Sequence, residues 1–319
     1  MDTTEMIRLI ENLSTLGVHE LRITGGEPTT RQDLLKLIDT AVSAGLYVSL
    51  GSNGVWPKGL AETLISRPLG RYLISLEGDK AVNDPLRGRG AFDRTLETID
   101  LLVAAGQSVR VNTMLTRLTL GHLEETAALC AAHQVRHMAL IPPRPAGRAG
   151  RESFSAQMPQ PHEMELAARL VAQIYRQYGV EIEFEYNIYR QGTEGQPSDP
   201  VLSKIVSCPA GREAAFISPS GWFYACGCSP GGSSIASERA PFAACNIRGF
   251  SAAGIWQAWQ SSSAWQPFRD LSLSKDPACL QCRYYGKGCF GSCPVHAYLS
   301  NGAFDAPDPL CWVRSKIVT

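Results

Sequence analysis

The distribution of the cysteines constrains this sequence more than any other feature. The chain has 319 residues and 10 cysteines, and only Cys130 lies before Cys208. The segment from Met1 to Glu5 does not read as a signal peptide, which disfavours the disulfide framework of a short secreted protein. Clustered thiols in a long chain of this kind more often bind a soft metal centre. We therefore expect the last third of the chain to fold around metal.

The spacing of these cysteines limits the kinds of metal centre that they could bind. It consists of two blocks, Cys208-x12-Gly221-x4-Cys226 and Cys279-x2-Cys282-x6-Cys289-x3-Cys293. Cys311 follows the second block after seventeen intervening residues. A two-residue spacing lets neighbouring sulfurs face one site. Taken alone, the second block fits a structural zinc ion as well as an iron–sulfur cluster. The other cysteines would then need a separate explanation.

Charge and hydropathy exclude several classes of partner. The chain has 30 basic and 30 acidic residues, so its formal net charge is zero. No basic field indicates a nucleic acid or an anionic membrane surface as partner. No apolar run approaches the roughly 18–20 residues that a membrane helix needs. We expect a cytoplasmic protein.

Helical and strand periodicities alternate along the first half of the chain. Strands are predicted at 19–24, 46–51, 71–77, 108–114, 135–141 and near 180–186, and helices at 2–16, 31–44, 57–66, 91–105, 119–133 and near 160–178. This alternation predicts an α/β fold with a parallel sheet. Right-handed crossovers would curl the units into a partial (β/α)6 TIM-like barrel. Because the sequence opens on a helix, that barrel would lack its first strand.

Three regions follow from these patterns. Residues 1–150 are predicted to form the partial barrel, and residues 151–207 a linker region with one helix and one strand. Residues 208–319 are predicted to form a small cysteine-rich domain. Within it, Gly221 is expected at the turn of a β-hairpin.

Polar residues recur where the predicted strands end, at the edge that carries the active sites of βα barrels. The first such segment is Thr24-Gly25-Gly26-Glu27-Pro28, whose paired glycines let a ligand approach the backbone closely. Glu27 can accept a hydrogen bond from an ammonium group. The others are Ser52, Asn53, Ser75, Glu77 and Asn112. Each alone suits an ordinary turn, whereas their shared position favours a ligand site.

The cysteine pattern resembles the SPASM domain of radical S-adenosylmethionine (SAM) enzymes. It departs from that motif by one extra residue between Cys282 and Cys289. The resemblance implies two auxiliary [4Fe–4S] clusters. By position, the outer cluster would be ligated by Cys279, Cys282, Cys289 and Cys311, and the inner one by Cys208, Cys226 and Cys293. The inner cluster is then one ligand short. Cys228, Cys245 and an open site remain alternatives.

The Gly-Gly-Glu-Pro segment resembles the motif that holds the amino group of SAM in the same family. The resemblance implies that SAM is contacted by Gly25, Gly26, Glu27, Pro28, Ser52, Asn53, Ser75, Glu77 and Asn112. It implies an enzyme that cleaves SAM to modify a substrate, most readily a peptide by crosslinking or oxidation. It also implies a reducing electron donor such as a flavodoxin or ferredoxin.

Two alternative functions stay open at this point. A tetrapyrrole- or cofactor-modifying enzyme would share the same barrel and clusters. A non-catalytic iron–sulfur pseudoenzyme or electron-transfer protein would keep the clusters without the chemistry. The residues alone do not separate these three functions.

The defining Cys-x3-Cys-x2-Cys loop of the family has no counterpart in this sequence, because no cysteine precedes Cys130. In the family the loop binds the cluster that cleaves SAM, and it lies upstream of the Gly-Gly-Glu-Pro segment. We expect that the sequence lacks its true N-terminus, with genuine loss of radical chemistry as the alternative.

The 319-residue chain is therefore predicted not to cleave SAM reductively. The measurement is anaerobic reconstitution with iron, sulfide, SAM and dithionite, followed by quantification of 5′-deoxyadenosine. Product above the level of a protein-free control would overturn this prediction.

Overall fold

The first two-thirds of the chain form βα units, as the alternating periodicities predict. A computed structural model describes residues 1–185, 189–190, 208–228, 242–270, 276–282, 284–286, 289–291 and 293–318. Six strands run parallel in chain order: β1 Glu20–Ile23, β2 Tyr47–Ser52, β3 Arg71–Ser75, β4 Val109–Met114, β5 His137–Ile141 and β6 Glu181–Phe184. The short β7, Tyr189–Arg190, pairs antiparallel to β6. The predicted α/β class with six parallel strands is confirmed.

The helices of this part cover the sheet between successive strands. They are α1 Thr3–Thr15, α2 Leu34–Ser43, α3 Leu60–Ile65, α4 Lys80–Arg87, α5 Ala91–Ala104, α6 Arg117–Leu120, α7 Leu123–Ala132, α8 Glu152–Ser155 and α9 Pro161–Tyr178. Strand residues such as Leu50 and Ile74 are fully buried beneath them. Cys130 lies in this core at 2% exposure, which separates it from the other cysteines.

Helix α1 belongs to both parts of the molecule. A capping box starts it, in which the Asp2 side chain accepts from the Glu5 N–H and the Glu5 side chain accepts from the Asp2 N–H, both at 2.9 Å. Ile10 packs into the core of the sheet, whereas Leu9 and Leu13 pack into the core of the C-terminal part. One amphipathic helix therefore joins the two hydrophobic cores.

The C-terminal part contains a small antiparallel sheet. Its strands are β8 Phe216–Ile217, β9 Trp222–Tyr224 and β10 Ala243–Asn246, with β9 in the middle. Gly221 adopts φ +90° and donates its N–H to Ser218 O at 2.9 Å, so the predicted hairpin turn is present. The helices are α10 Ala252–Ser261, α11 Gln266–Arg269, α12 Pro277–Leu280, α13 Pro294–Asn301 and α14 Trp312–Val318.

An aromatic cluster forms the core beneath this sheet. The rings of Phe223 and Trp265 meet edge to face with centroids 4.7 Å apart. The indole N–H of Trp265, which is fully buried, donates to Phe242 O at 2.9 Å. The Arg269 guanidinium lies 5.4 Å from the centroid of the Trp265 ring. Edge-to-face pairs of this kind add stability beyond that of area burial, by about 0.5–1.5 kcal/mol each.

The structure differs from the sequence expectation at two elements. The predicted strand 71–77 ends at Ser75, and the loop after it leads into the unpredicted helix α4. Asp79 caps that helix by accepting from the N–H groups of Ala81 and Val82 at 2.9 and 3.1 Å, and Pro85 lies inside it. The third strand of the small sheet, β10, also went unpredicted. None of the helices in the described ranges is both long and apolar enough to cross a bilayer.

The turn after β2 offers a test of the packing at the sheet edge. Gly54 has φ +76°, and a Cβ there would lie 2.9 Å from Ile74 Cγ2 and 3.0 Å from Thr95 Cγ2. Gly59 has φ +83°, but a Cβ there would meet nothing within 4 Å. Gly54→Ala should lower the free energy of unfolding by about 2–4 kcal/mol, since it adds overpacking to backbone strain. Gly59→Ala should cost only about 1 kcal/mol. Denaturant titration measures both, and equal losses would contradict the packing argument.

Candidate iron–sulfur and cofactor sites

The outer thiol set is gathered around one pocket. Cys279, Cys282, Cys289 and Cys311 all line it, as the family resemblance implies for the outer cluster. Asp308 and Arg314 line the same pocket. In the described part of the chain, no three His, Cys, Asp or Glu side chains are arranged to hold a single metal ion. The four thiols instead surround a shared space, and thiols in that arrangement suit a multi-iron cluster.

Local hydrogen bonds hold the segments that carry these thiols. The Asp276 carboxylate caps α12 by accepting from the Ala278 and Cys279 N–H groups at 3.0 and 3.1 Å. Its second oxygen pairs with Arg314 at 3.1 Å, just after Cys311 in the chain. The two ends of the outer set are thus tied together although they lie more than thirty residues apart in sequence.

Asp308 connects the outer set to the inner one. Its side chain is fully buried, and its Oδ2 accepts from the Cys293 N–H at 3.1 Å. Its backbone carbonyl accepts from the Cys311 N–H at 3.2 Å. The ring nitrogen Nδ1 of the buried His296 lies 3.1 Å from Asp308 Oδ1. One buried carboxylate residue therefore positions a cysteine of each set, a role that the cysteine spacing does not reveal.

The inner thiol set comes together from three separate segments. Cys226 interacts electrostatically with Cys228, Cys293 and Cys208, in that order of strength. The three inner cysteines expected from the resemblance are therefore neighbours in space. Cys228 is a fourth member of the group, and its N–H donates to Cys226 Sγ at 3.4 Å.

Burial and mutual interaction set the protonation of these thiols. Burial raises the pKa of Cys293 to about 11 and that of Cys311 to about 12. A hydrogen bond with Cys228, together with burial, raises the pKa of Cys226. The same hydrogen bond lowers the pKa of Cys228 to about 6, aided by the charge of Arg144 and opposed by burial. Because metal ligation requires thiolates, binding of a cluster would release protons from most of these groups.

Arg144 supplies positive charge to the inner set from the loop after β5. Burial acts to lower the pKa of its guanidinium, but the charges of Cys293 and Cys228 outweigh that effect and raise it. Its Nη2 donates to Glu185 O at 3.4 Å, directly after β6. Its Nε is buried and donates to no acceptor in the described ranges. A buried N–H of this kind fits a site in which sulfur atoms of a cluster would accept the bond.

The carboxylate of Glu27 is engaged at the ends of β1 and β2. Its Oε1 accepts from Thr29 Oγ1 and Ser52 Oγ, both at 2.8 Å, and its Oε2 accepts from the Asn53 N–H at 2.8 Å. Ser52 Oγ in turn accepts from Trp56 Nε1 at 2.7 Å. The structure therefore brings Glu27, Ser52 and Asn53 together, as their positions at neighbouring strand ends predict.

The paired glycines beside Glu27 face open space. Gly25 has φ +136°, and a Cβ placed on Gly25 or Gly26 would meet nothing within 4 Å. Both residues are exposed, whereas Pro28 is buried at the start of a short 3-10 helix. An accessible backbone at this point permits the close approach of a ligand that the motif implies.

Ser75 ends β3, and Asn112 lies two residues before the end of the neighbouring strand β4. They are register partners across β3 and β4, and both are partly exposed. Asn112 Oδ1 accepts from Arg110 Nε at 3.0 Å. Arg110 is almost fully buried and forms ion pairs with Glu183 at 2.8 Å and Glu185 at 2.9 Å. These ion pairs therefore link β4 to β6 and to the residue that follows β6.

Glu77 differs from the other predicted SAM contacts, because it is completely buried. Arg87 pairs with its Oε1, and the Met114 N–H donates to its Oε2 at 3.0 Å. Burial raises the pKa of Glu77, against the lowering effect of the Arg87 charge. These contacts give Glu77 a structural role that joins α4 to β4. A SAM contact by Glu77 stays a prediction.

With this geometry in place, the comparison with known families becomes informative. Residues 1–130 match the Radical SAM superfamily. This part of the chain is therefore similar to a radical SAM domain. The matched residues contain the Gly-Gly-Glu-Pro segment and the strand ends just described. Radical SAM proteins bind SAM and [4Fe–4S] clusters, and relatives of the SPASM type carry auxiliary clusters.

Several characterised proteins are similar over nearly the whole chain. Mycofactocin maturase MftC of Mycobacterium tuberculosis is 28% identical, with 98% of this chain and 75% of the relative covered. AdoMet-dependent heme synthase of Methanosarcina barkeri is 26% identical, with 98% and 88% covered. PqqA peptide cyclase of Rhizobium meliloti is 26% identical, with 99% and 80% covered.

The fold is also found among solved structures. Native anSMEcpe with bound AdoMet and Cp18Cys peptide superposes with a TM-score of 0.73 at 14% sequence identity. The match covers 99% of this chain and 88% of that one. It therefore includes the cysteine-rich part as well as the sheet.

The buried ion pair of Glu77 and Arg87 generates a stability prediction. Arg87→Ala would leave the Glu77 carboxylate buried without its partner, and should lower the free energy of unfolding by about 3 kcal/mol near neutral pH. The raised pKa of Glu77 rises further in this variant, so the carboxylate becomes protonated more readily in the folded than in the unfolded chain. The loss should therefore shrink as pH falls toward about 5.

Lys80→Ala is the matched control for this prediction. Lys80 pairs with Asp93, but both side chains are more than half exposed, so the loss should not exceed about 1 kcal/mol. Denaturant titration near neutral pH and at about pH 5 measures the free energy of unfolding of the wild type, Arg87→Ala and Lys80→Ala. A loss in Arg87→Ala no larger than in Lys80→Ala would contradict the proposed burial penalty.

Proposed function

We propose that this chain belongs to a radical SAM enzyme with auxiliary clusters that modifies a peptide. The observation that carries the proposal is the joint presence of a SAM-type strand-end site and two separate thiol sets in one fold. When bound, SAM and a reduced cluster supply a 5′-deoxyadenosyl radical that abstracts a substrate hydrogen atom. The residues of this chain bind and orient the groups around that chemistry.

The proposed SAM site is assigned to residues at the carboxyl ends of the strands. Glu27 is held rigidly by Ser52 and Asn53, so an ammonium group approaching the open backbone of Gly25 and Gly26 meets an oriented carboxylate. Pro28 fixes the start of the turn that follows. Ser75 and Asn112 extend the polar edge to the next two strands. This arrangement supports contacts of these residues with the methionyl and nucleoside parts of SAM.

The auxiliary clusters are assigned to the two thiol sets. Cys279, Cys282, Cys289 and Cys311 would hold the outer cluster, since all four line one pocket. Cys208, Cys226 and Cys293 would hold the inner cluster, beside the cationic Arg144. A reducing donor such as a flavodoxin or ferredoxin would supply electrons, since no side chain of the protein can do so.

The names of the similar proteins support a peptide as the substrate. Two of them are named as a maturase and a peptide cyclase, and the superposed structure of anSMEcpe contains a peptide. A tetrapyrrole-modifying function is the second candidate, because a heme synthase is similar over the same length.

The decisive experiment uses the protein encoded by the full open reading frame that contains this sequence. The longest in-frame product of the gene, including any upstream Cys-x3-Cys-x2-Cys, is reconstituted anaerobically with SAM, a reductant and short peptides encoded beside the gene. We expect 5′-deoxyadenosine together with a peptide product that has lost hydrogen through crosslinking or oxidation, detected by mass spectrometry. The Glu27→Ala variant of the same product should lose SAM binding and both products.

Other outcomes identify the alternatives. Decarboxylation of a porphyrinogen or porphyrin substrate, with unchanged peptides, would replace the peptide proposal by the tetrapyrrole function. Iron-loaded protein that yields no 5′-deoxyadenosine would indicate a non-catalytic electron carrier. One zinc ion per chain with no iron would remove the cluster assignment altogether.

A further inference from the structure

A series of hydrogen-bonded polar side chains crosses one face of the parallel sheet. Along β4, Arg110 and Asn112 alternate with Val109 and Val111, which belong to the core beneath the helices. On β6, Glu183 likewise stands between two residues of that core. Because successive side chains of a strand point to opposite faces, Arg110, Asn112 and Glu183 share the face that is turned away from this core.

Arg110 spans the strand that separates β4 from β6. The register places Ala139 of β5 between Asn112 and Glu183. Neighbouring strands lie about 4.8 Å apart, so β4 and β6 are separated by about 10 Å. The small side chain of Ala139 leaves room for the long side chain of Arg110 to cross β5. Nη1 and Nη2 of Arg110 donate to Glu183 Oε2 at 2.8 Å and to Glu185 Oε1 at 2.9 Å. These two carboxylates fix the guanidinium in one orientation.

The third nitrogen of the guanidinium sets the direction of the Asn112 amide. Arg110 Nε donates to Asn112 Oδ1 at 3.0 Å. A guanidinium can only donate, so the amide must turn its carbonyl oxygen toward Arg110. The amide NH2 group then points away from Arg110, which is 3% exposed, whereas Asn112 is partly exposed. Asn112 therefore presents N–H donors to a ligand on this face of the sheet.

The distance from Glu27 indicates which part of SAM would meet these donors. Glu27 is hydrogen-bonded to Ser52 and Asn53 at the end of β2, and Asn112 lies two strands away on β4. That separation is about 10 Å. The ammonium and carboxylate groups of SAM are attached to one carbon, so both lie near Glu27 when it binds the ammonium. The nucleoside is the part of SAM that extends far enough to reach Asn112.

We propose that Arg110 is a positioning residue, which holds the Asn112 amide so that its N–H groups donate to the nucleoside part of SAM. Glu183 and Glu185 keep Arg110 in place, so residues at the end of β6 influence SAM binding through β4. Arg110 acts through Asn112, since each of its three nitrogens donates to a protein group. The inference rests on the proposed function, in which this edge of the sheet binds SAM.

The test compares Arg110→Lys with the matched Arg71→Lys in the reconstituted protein encoded by the full open reading frame. Arg71 begins β3 on the same face, two residues before the register partner of Arg110, and its Nε donates to no acceptor in the described part of the chain. Lysine keeps the charge, but one ammonium group cannot replace three separate donor nitrogens. Equilibrium dialysis should show SAM affinity about five- to tenfold weaker in Arg110→Lys and unchanged in Arg71→Lys.

A double-variant cycle measures whether Arg110 acts through Asn112. Asn112→Ala should weaken SAM binding by a similar factor, because it removes the donors directly. Adding Arg110→Lys to Asn112→Ala should then change the affinity by less than about twofold. Wild-type affinity in either single variant, or losses that multiply in the double variant, would overturn the positioning role.

Fragments of SAM distinguish this role from a general loss of structure. In Arg110→Lys, 5′-deoxyadenosine should bind about five- to tenfold more weakly than in wild type, whereas L-methionine should bind equally well. Glu27→Ala should show the opposite pattern. Equal weakening of both fragments in Arg110→Lys would indicate a structural role and contradict the inference. Wild-type protein that binds no SAM would instead overturn the proposed function, so the two failures are distinguishable.

Discussion

The contact of Arg144 with the inner thiol set is the interaction on which the arrangement of the two parts depends. This guanidinium leaves the sheet after β5, donates to the backbone just past β6, and lies among thiols carried by the C-terminal part. A buried cation without such neighbours would be strongly unfavourable, so the position of the loop and the position of the thiols require each other. Helix α1 provides the apolar counterpart, since it packs into the cores of both parts.

Around that contact, the protein separates the proposed SAM site from the proposed cluster sites. The ends of β1 and β2 carry an oriented carboxylate and an exposed glycine backbone, which suit a zwitterionic cofactor. The ends of β5 and β6 carry Arg144 and Glu185, which face the thiols. Between the two stands the buried network of Arg110, which joins β4 to β6. The order of the strands therefore separates the proposed SAM site, at β1 and β2, from the proposed cluster site, beside β5 and β6.

Much of this could be predicted from the sequence, and the rest depended on contacts between distant residues. The strand and helix periodicities and the Gly221 turn are local patterns, and the division of the thiols into two sets was implied by the family resemblance. The burial of Glu77 is not local, because it depends on Arg87 from the unpredicted α4. The Pro-rich sequence around Arg144 predicted only a loop at a domain edge and not the interaction of Arg144 with the thiols.

The loop from Cys289 to Cys293 has a consequence for distance. These two cysteines belong to different thiol sets, yet only three residues separate them. Four extended residue steps span at most about 14 Å between Cα atoms. Asp308 adds a shorter route, because it accepts a hydrogen bond from the backbone of Cys293 and another from that of Cys311. The covalent chain therefore limits how far apart the two proposed clusters can lie.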